Sequence, residues 1–225
     1  MAITAQSIIE RATDLLQDKT SVRWGVGELV RWFNDAQRAV IKVRPDAMNI
    51  TTVMTLAAGP RQDLDNAALA LLPVKLIDVT RNMAATSKKS AVRFVDRKLL
   101  DLQAPGWYAM TPSVDIVHPM FDPRDPKAFY VYPPATALAQ LEIMYSAYPA
   151  DIEEPAEGSL FTVVTGNLSL PDIYADDVLN LIMFRAHSKD AEFGGNTALA
   201  AGYLSMVTTS LGAEIAATVA VGPKA

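Results

Sequence analysis

Apolar positions recur at helical spacing towards both ends of the chain and change to short, strand-like runs in its middle. Over residues 4–17, Ile8, Ile9, Ala12, Leu15 and Leu16 share one side, while Glu10, Arg11, Asp14 and Gln17 take the other. This predicts an amphipathic helix capped by Thr4. Over residues 26–44, Leu29, Phe33, Ala36, Val40 and Val43 recur at steps of four and three, with Trp32 widening the stripe. Pro45 stops that helix, because proline disfavours the α conformation in the residue before it. Its start is soft, since Gly25 and Gly27 stand where a capping serine or threonine would let Glu28 close a capping box.

The period then shortens. Residues 50–56, 74–80, 91–95, 128–132 and 141–148 are rich in β-branched and aromatic side chains and bounded by Gly, Pro, Asn and Asp, which predicts strands of a small antiparallel sheet. Residues 101–127 interrupt them with Pro105, Gly106, Pro112, Pro119, Pro123 and Pro126, the composition of a long irregular loop. Helical spacing returns after Pro171 and Asp172, with Ile173, Val178, Leu181, Ile182 and Ala186. It breaks at Gly194-Gly195-Asn196, and a last helix is expected over residues 197–211.

The expected class is therefore α+β and mainly helical: terminal helices forming a bundle, an inserted antiparallel β region and a long projecting loop. The expected boundaries are residues 1–47 and 168–213 for the bundle, 48–167 for the inserted region and 214–225 for a tail extension. Leu211-Gly212 reads as a helix stop. The Ala, Thr and Val of residues 215–225 offer too little apolar surface to offset ordering entropy, so that segment is expected to be unanchored.

Composition narrows the chemistry. Of 225 residues half are apolar and 20% charged, as in ordinary folding chains. The absence of cysteine excludes disulfides, thiolate metal sites and a cysteine nucleophile, and two histidines, His118 and His187, leave little for an imidazole-rich metal site. The first six residues lack the basic start and apolar run of a secretion signal, so synthesis in a host cytoplasm is expected. The net charge of −5 is unevenly spread. Residues 1–112 hold 15 basic and 11 acidic groups and residues 113–225 hold 5 and 14, so the halves differ in sign. No basic face of the kind a DNA reader uses stands out.

A set of local patterns resembles the head-to-tail adaptor (connector) proteins that sit beneath the portal of tailed phages. They are Glu28-Leu29-Val30-Arg31-Trp32-Phe33-Asn34-Asp35-Ala36-Gln37-Arg38, Arg44-Pro45-Asp46-Ala47, Leu72-Pro73 and Leu76-Ile77-Asp78-Val79-Thr80-Arg81-Asn82-Met83. They continue through Asp96-Arg97, Leu100-Asp101, Pro105-Gly106-Trp107, Asp125-Pro126, Phe129-Tyr130-Val131-Tyr132-Pro133-Pro134 and Leu170-Pro171 with Tyr174. The last are Arg185-Ala186-His187-Ser188-Lys189-Asp190-Ala191-Glu192 and Asn196. The resemblance implies a structural virion protein at the head–tail junction. It implies a ring, typically dodecameric, that docks on the portal protein, offers its other face to a tail or nozzle protein and keeps a channel open for DNA. It implies no catalytic residue and no cofactor, and DNA passes without specific binding.

Candidate residues follow from composition. Trp107, Tyr108, Met110, Met120 and Phe121 in the proline-rich stretch have the make-up of an interface. Asp151, Glu153, Glu154 and Glu157, with no basic residue among them, read either as a solvated loop or as channel-facing acids that repel passing phosphates.

The competing class is a hydrolase-like enzyme using Ser113, Asp115 and His118, although no nucleophile-elbow pattern surrounds the serine. Asp122-Pro123 and Asp125-Pro126 have oxygen ligands for a hard cation but read more simply as turns. His187 reads as a helix-surface or interface residue. Residues 197–213 carry no charge, yet they are too short and too rich in Gly, Ser and Thr for a membrane span.

Overall fold

The computed structural model describes residues 3–122, 124–190 and 195–221, the last five of these by backbone alone. The class is mixed α+β, with five α-helices and two antiparallel sheets among the described residues. The chain divides into two compact units, Met1–Met48 with Pro149–Ala225, and Asn49–Tyr148.

The first unit is helical. Helix α1 (Ala5–Leu15) begins where the Thr4 hydroxyl accepts the Ser7 amide at 3.1 Å, and it buries Ile8, Ile9 and Ala12. Helix α2 (Val26–Val43) starts at Gly25 without a side-chain cap, and a 3-10 turn, Pro45–Met48, follows it. Its buried face includes Leu29, Phe33, Ala36 and Val40 of the stripe that the spacing predicts, together with the polar Asn34 and Gln37, whereas Val43, expected to end that stripe, is exposed in the last turn.

Those two amides are used. Asn34 exchanges two 2.9 Å hydrogen bonds with the backbone of Ile152, and the Gln37 carbonyl oxygen accepts the Ser169 amide at 2.9 Å. The irregular segment before α4 is thus laid along α2 by three hydrogen bonds to side-chain amides, although the Gln37 Nε2 itself finds no partner. At Gly166 (φ +102°) an added Cβ would stand 2.6 Å from the Ile152 Cδ1, so the close approach requires glycine.

Helix α4 (Ala175–Lys189), entered through a 3-10 turn at Asp172–Tyr174, packs against α1, α2 and α5 (Asn196–Val221). Helix α5 does not stop at Leu211-Gly212 as expected but runs on to Val221. One glycine lowers helix propensity by about 1 kcal/mol, and side-chain contacts at Glu214, described below, hold the following turn in place. Gly194 of the expected break, Ala191 and Glu192 of the family-like pattern, and residues 222–225 of the tail lie outside the described residues.

The second unit holds two three-stranded antiparallel sheets. One has the order β1-β6-β3, from Asn49–Thr55, Gln140–Ala147 and Pro73–Asn82; the other has β2-β5-β4, from Gly59–Asp63, Ala128–Ala135 and His118–Phe121. In β6 the alternate residues Leu141, Ile143, Tyr145 and Ala147 are all buried, and they share one core with Met54, Leu76 and Val79 and with Phe129, Val131 and Ala135 of the second sheet. Burying each of the larger side chains stabilises by roughly 1.5–3 kcal/mol.

Residues 101–127 are more ordered than the irregular loop expected of them. They complete a short helix α3 (Arg97–Gln103), make a 3-10 turn at Trp107–Ala109 and enter β4. Pro123 lies outside the described residues. Residues 91–95, expected as a strand, form none: Ala91 makes a single bridge to Arg81, and the amides of Val92, Arg93 and Val95 go to Thr80, Val117 and Pro119 in turn. The segment thus divides its amides between β3 and residues 117–119, which satisfies them without building a ladder on either.

Candidate functional site

The surface of the helical unit least suited to water is the outer side of α5. Between Asn196 and Val221 Glu214 is the one charged residue, so the helix is apolar or small on nearly every side. Ala200, Val207 and Leu211, spaced by seven and four, make the buried stripe. Leu199 and Met206 stay 50% and 59% exposed, and Leu204 and Ile215 are exposed as well. A helix apolar all round normally has neighbours on more than one side.

The inner side of α5 is tied down by polar contacts. The Tyr174 hydroxyl donates to Glu214 at 2.8 Å, and Glu214 pairs with Arg44 at 3.3 Å. Arg44, almost fully buried, grips Asp46 with two nitrogens at 2.6 and 3.0 Å. That grip holds the guanidinium pKa above its ordinary value. Burial, then the hydrogen bond to Glu214, pushes the Tyr174 phenol up to about 12. Three residues on, in the first turn of α4, burial raises the Asp177 carboxyl, which accepts a long 3.4 Å bond from Ser210. His187 of α4 stacks on Tyr203 of α5 with ring centres 5.6 Å apart, an inter-helix contact rather than a ligand geometry.

In the β unit, the five residues expected at an interface separate into three groups. Trp107 and Met120 are buried in a cluster with Leu100, and the Trp107 indole donates to Asp101 at 2.8 Å, so both are withdrawn from the surface. The sequence shows an aromatic among prolines; only the fold shows that Tyr130 and Tyr132 of β5 take its edges. Tyr108, stacked on Trp107 at 3.8 Å, and Met110 remain 44% and 43% exposed. Phe121 is half-buried against the main core. Burial, followed by the charge of Asp101, raises the Tyr108 phenol pKa.

The four acids also divide. Asp151 hydrogen-bonds Arg38, and Glu154 lies 3.6 Å from Arg31, both arginines on α2. Glu153 and Glu157 are exposed and form no ion pair with any described residue.

Ser113, Asp115 and His118 are neighbours without the bonds of a triad. The Ser113 hydroxyl accepts the Asp115 amide at 3.0 Å, the Asp115 carboxylate accepts the Lys88 amide at 2.9 Å, and His118 Nδ1 lies 3.0 Å from the Arg93 carbonyl oxygen. Neither the serine–histidine nor the histidine–aspartate bond is present among the described residues. The Asp122 carboxylate accepts the Arg124 amide at 3.0 Å, and the Asp125 amide donates to the Asp122 carbonyl at 3.0 Å, the geometry of a turn. No cluster of three His, Cys, Asp or Glu side chains suited to a metal occurs among the described residues.

What this geometry offers is contact area and charge on two units. The family model of the SU10 adaptor protein matches residues 3–223. The chain belongs to the SU10 adaptor protein family. That bears out the resemblance to phage head-to-tail adaptors, and makes this adaptor a structural component of a phage virion. A comparison with curated proteins gives no match. No described helix of the adaptor is long and apolar enough to cross a membrane.

Reading along the sequence missed the Arg44–Glu214–Tyr174 contact, whose members lie in three separate helical segments and carry no shared motif. It also missed how little of α5 is covered, although the near absence of charge over residues 197–213 was a usable signal.

Proposed function

We propose that this adaptor closes into a ring, most simply a dodecamer, at the head–tail junction, with the portal protein on one face and a tail or nozzle protein on the other. DNA passes through the ring without specific binding. The four long helices act as a bundle that carries subunit contacts, and the β unit supplies a further contact through Tyr108 and Met110. The role is mechanical, with no catalysis and no cofactor.

The observation that carries this reading, given the family, is the exposed apolar side of α5. Leu199 and Met206 lie on one flank of the buried stripe and Leu204 and Ile215 on the other, each an uncharged surface of the kind that marks protein–protein contact. In a ring each copy repeats the contact, so modest surfaces act together. The test is incorporation of full-length adaptor into particles, read by gel and electron microscopy. Leu199→Ser with Met206→Ser should leave a folded protein whose share in particles falls at least tenfold. Normal rings of the double variant would remove α5 from the contact, and wild-type particles without a ring would refute the reading itself.

A further inference from the structure

A groove of about 770 Å³ opens on the β unit between β3, the segment leading into α3, and the turn after β4. Lys75, Arg97, Lys98 and Arg124 stand on its walls, with the exposed ring of Phe94 and the half-buried ring of Tyr130 between them. Two acids also line it, but each is engaged by backbone: Asp96 caps α3 by accepting the Lys98 amide at 2.9 Å, and Asp122 holds the Arg124 amide. Arg97 lies over Tyr130 at 5.0 Å. Lys75 and Lys98 are exposed and make no ion pair with a described residue. The groove sits in the most basic part of the chain, residues 75–98, which hold seven basic and two acidic groups.

The helical unit carries the complement. Its segment from Asp151 to Glu157 is held at fixed points: Asp151 and Glu154 turn to the arginines of α2, and both backbone groups of Ile152 are bonded to Asn34. Glu153 and Glu157 are left pointing to solvent from a segment already ordered. A segment that is pre-organised loses little entropy on binding.

We propose that the groove receives the segment carrying Glu153 and Glu157 from a second copy of this chain. Charge complementarity selects this occupant: two unpaired carboxylates meet two unpaired lysines, and neighbouring Leu160, 46% exposed, brings apolar surface to Phe94 and Tyr130. The two patches differ, so the contact is heterologous, with one copy's groove on the next copy's segment, and such contacts generate rings when the rotation closes. Buried opposite charges across such an interface also fix register and exclude wrong partners. The inference rests on the ring reading above and names the side chains that set the order of copies around it.

The test is charge exchange in full-length adaptor, measured as adaptor incorporated per particle, with exchange at four exposed positions whose side chains make no described hydrogen bond or ion pair. Lys75→Glu with Lys98→Glu should cut incorporation at least tenfold, and Glu153→Lys with Glu157→Lys should do the same. The four substitutions together should restore it to within about twofold of wild type. Because the chain has no cysteine, Lys98→Cys on one copy and Glu153→Cys on another should form an interchain disulfide in co-assembled particles.

Several results would overturn the inference. Loss with either pair and no rescue by all four means that each patch meets a different partner. Loss with the lysine pair alone assigns the groove to an acidic surface of the portal or tail. Normal incorporation with slowed DNA ejection in the Glu153/Glu157 variant places those acids on the channel wall. Wild-type particles lacking any adaptor ring would sink the ring reading separately, whatever the variants do.

Discussion

Arg44 and Glu214 stand 3.3 Å apart, joining the C-terminal cap of α2 to the far half of α5. The pair explains why α5 continues past Gly212. A carboxylate that also receives the Tyr174 hydroxyl fixes the turn in which it sits.

Glu214→Ala takes one carboxylate from a guanidinium whose side chain is 7% exposed, and leaves the Tyr174 hydroxyl without its acceptor. Stripping a partner from a buried charged group costs about 1–3 kcal/mol. Urea unfolding should show that loss, and amide exchange should speed up in α5 beyond Leu211 while α1 and α2 keep their protection.

Tyr174 sets an alkaline limit. Its folded pKa of about 12 lies above the unfolded value of about 10, so the folded state favours the protonated phenol. Its contribution is complete below about pH 10 and is lost as pH rises through about 12. Tyr174→Phe should lower stability at neutral pH by about 1 kcal/mol, the worth of one hydrogen bond. It should also flatten the fall in melting temperature above pH 10, a slope that calorimetry at several pH values would read.

Trp107 and Met110 should respond in opposite ways. Trp107→Ala empties the centre of the small aromatic cluster and should destabilise the β unit by about 3–5 kcal/mol. Met110→Ser, at an exposed site, should move stability by less than about 0.5 kcal/mol and should act, if anywhere, on incorporation into particles. Equal destabilisation by both would show that Met110 belongs to the core.

At Gly166 two penalties coincide, a positive φ and a 2.6 Å clash with Ile152. Gly166→Ala should therefore cost about 1–3 kcal/mol. Ile152→Ala on top of it should recover part of that loss in a double-mutant cycle, since it removes the clashing methyl but not the backbone strain.

The elements legible in the sequence are those whose apolar period is long or whose residues favour one state. Helices α1, α2 and α4 and strands β1, β3, β5 and β6 fall close to the runs that predict them. Strand β2 has the sequence GPRQD, with no β-branched or aromatic residue, and exists because β5 pairs with it from Gly59↔Ala135 to Asp63↔Ala128. Strand β4, HPMF, is hidden among prolines, and α3 is a single short helix whose signal is the Asp96 cap.

The site was legible in kind but not in detail. Apolar and aromatic residues in a loop suggest contact, yet the sequence does not say which of Trp107 and Tyr108 turns inward. Likewise four acids in a row suggest a charged wall, until Arg38 and Arg31 of α2 are seen to take Asp151 and Glu154. Both sortings are made by residues far away in the chain.

The β unit begins with β1 and ends with β6, and these strands are paired, Asn49 opposite Ser146. The polypeptide therefore leaves the helical unit and comes back to it through strand ends that lie side by side. For the helices, a hundred-residue excursion closes over about the same gap as a tight hairpin, and the entropic penalty of closing a loop grows only slowly with its length. A unit attached in this way is an exchangeable cassette: related adaptors can lengthen it, trim it or replace it to suit a different tail while the helices that receive its two ends stay as they are.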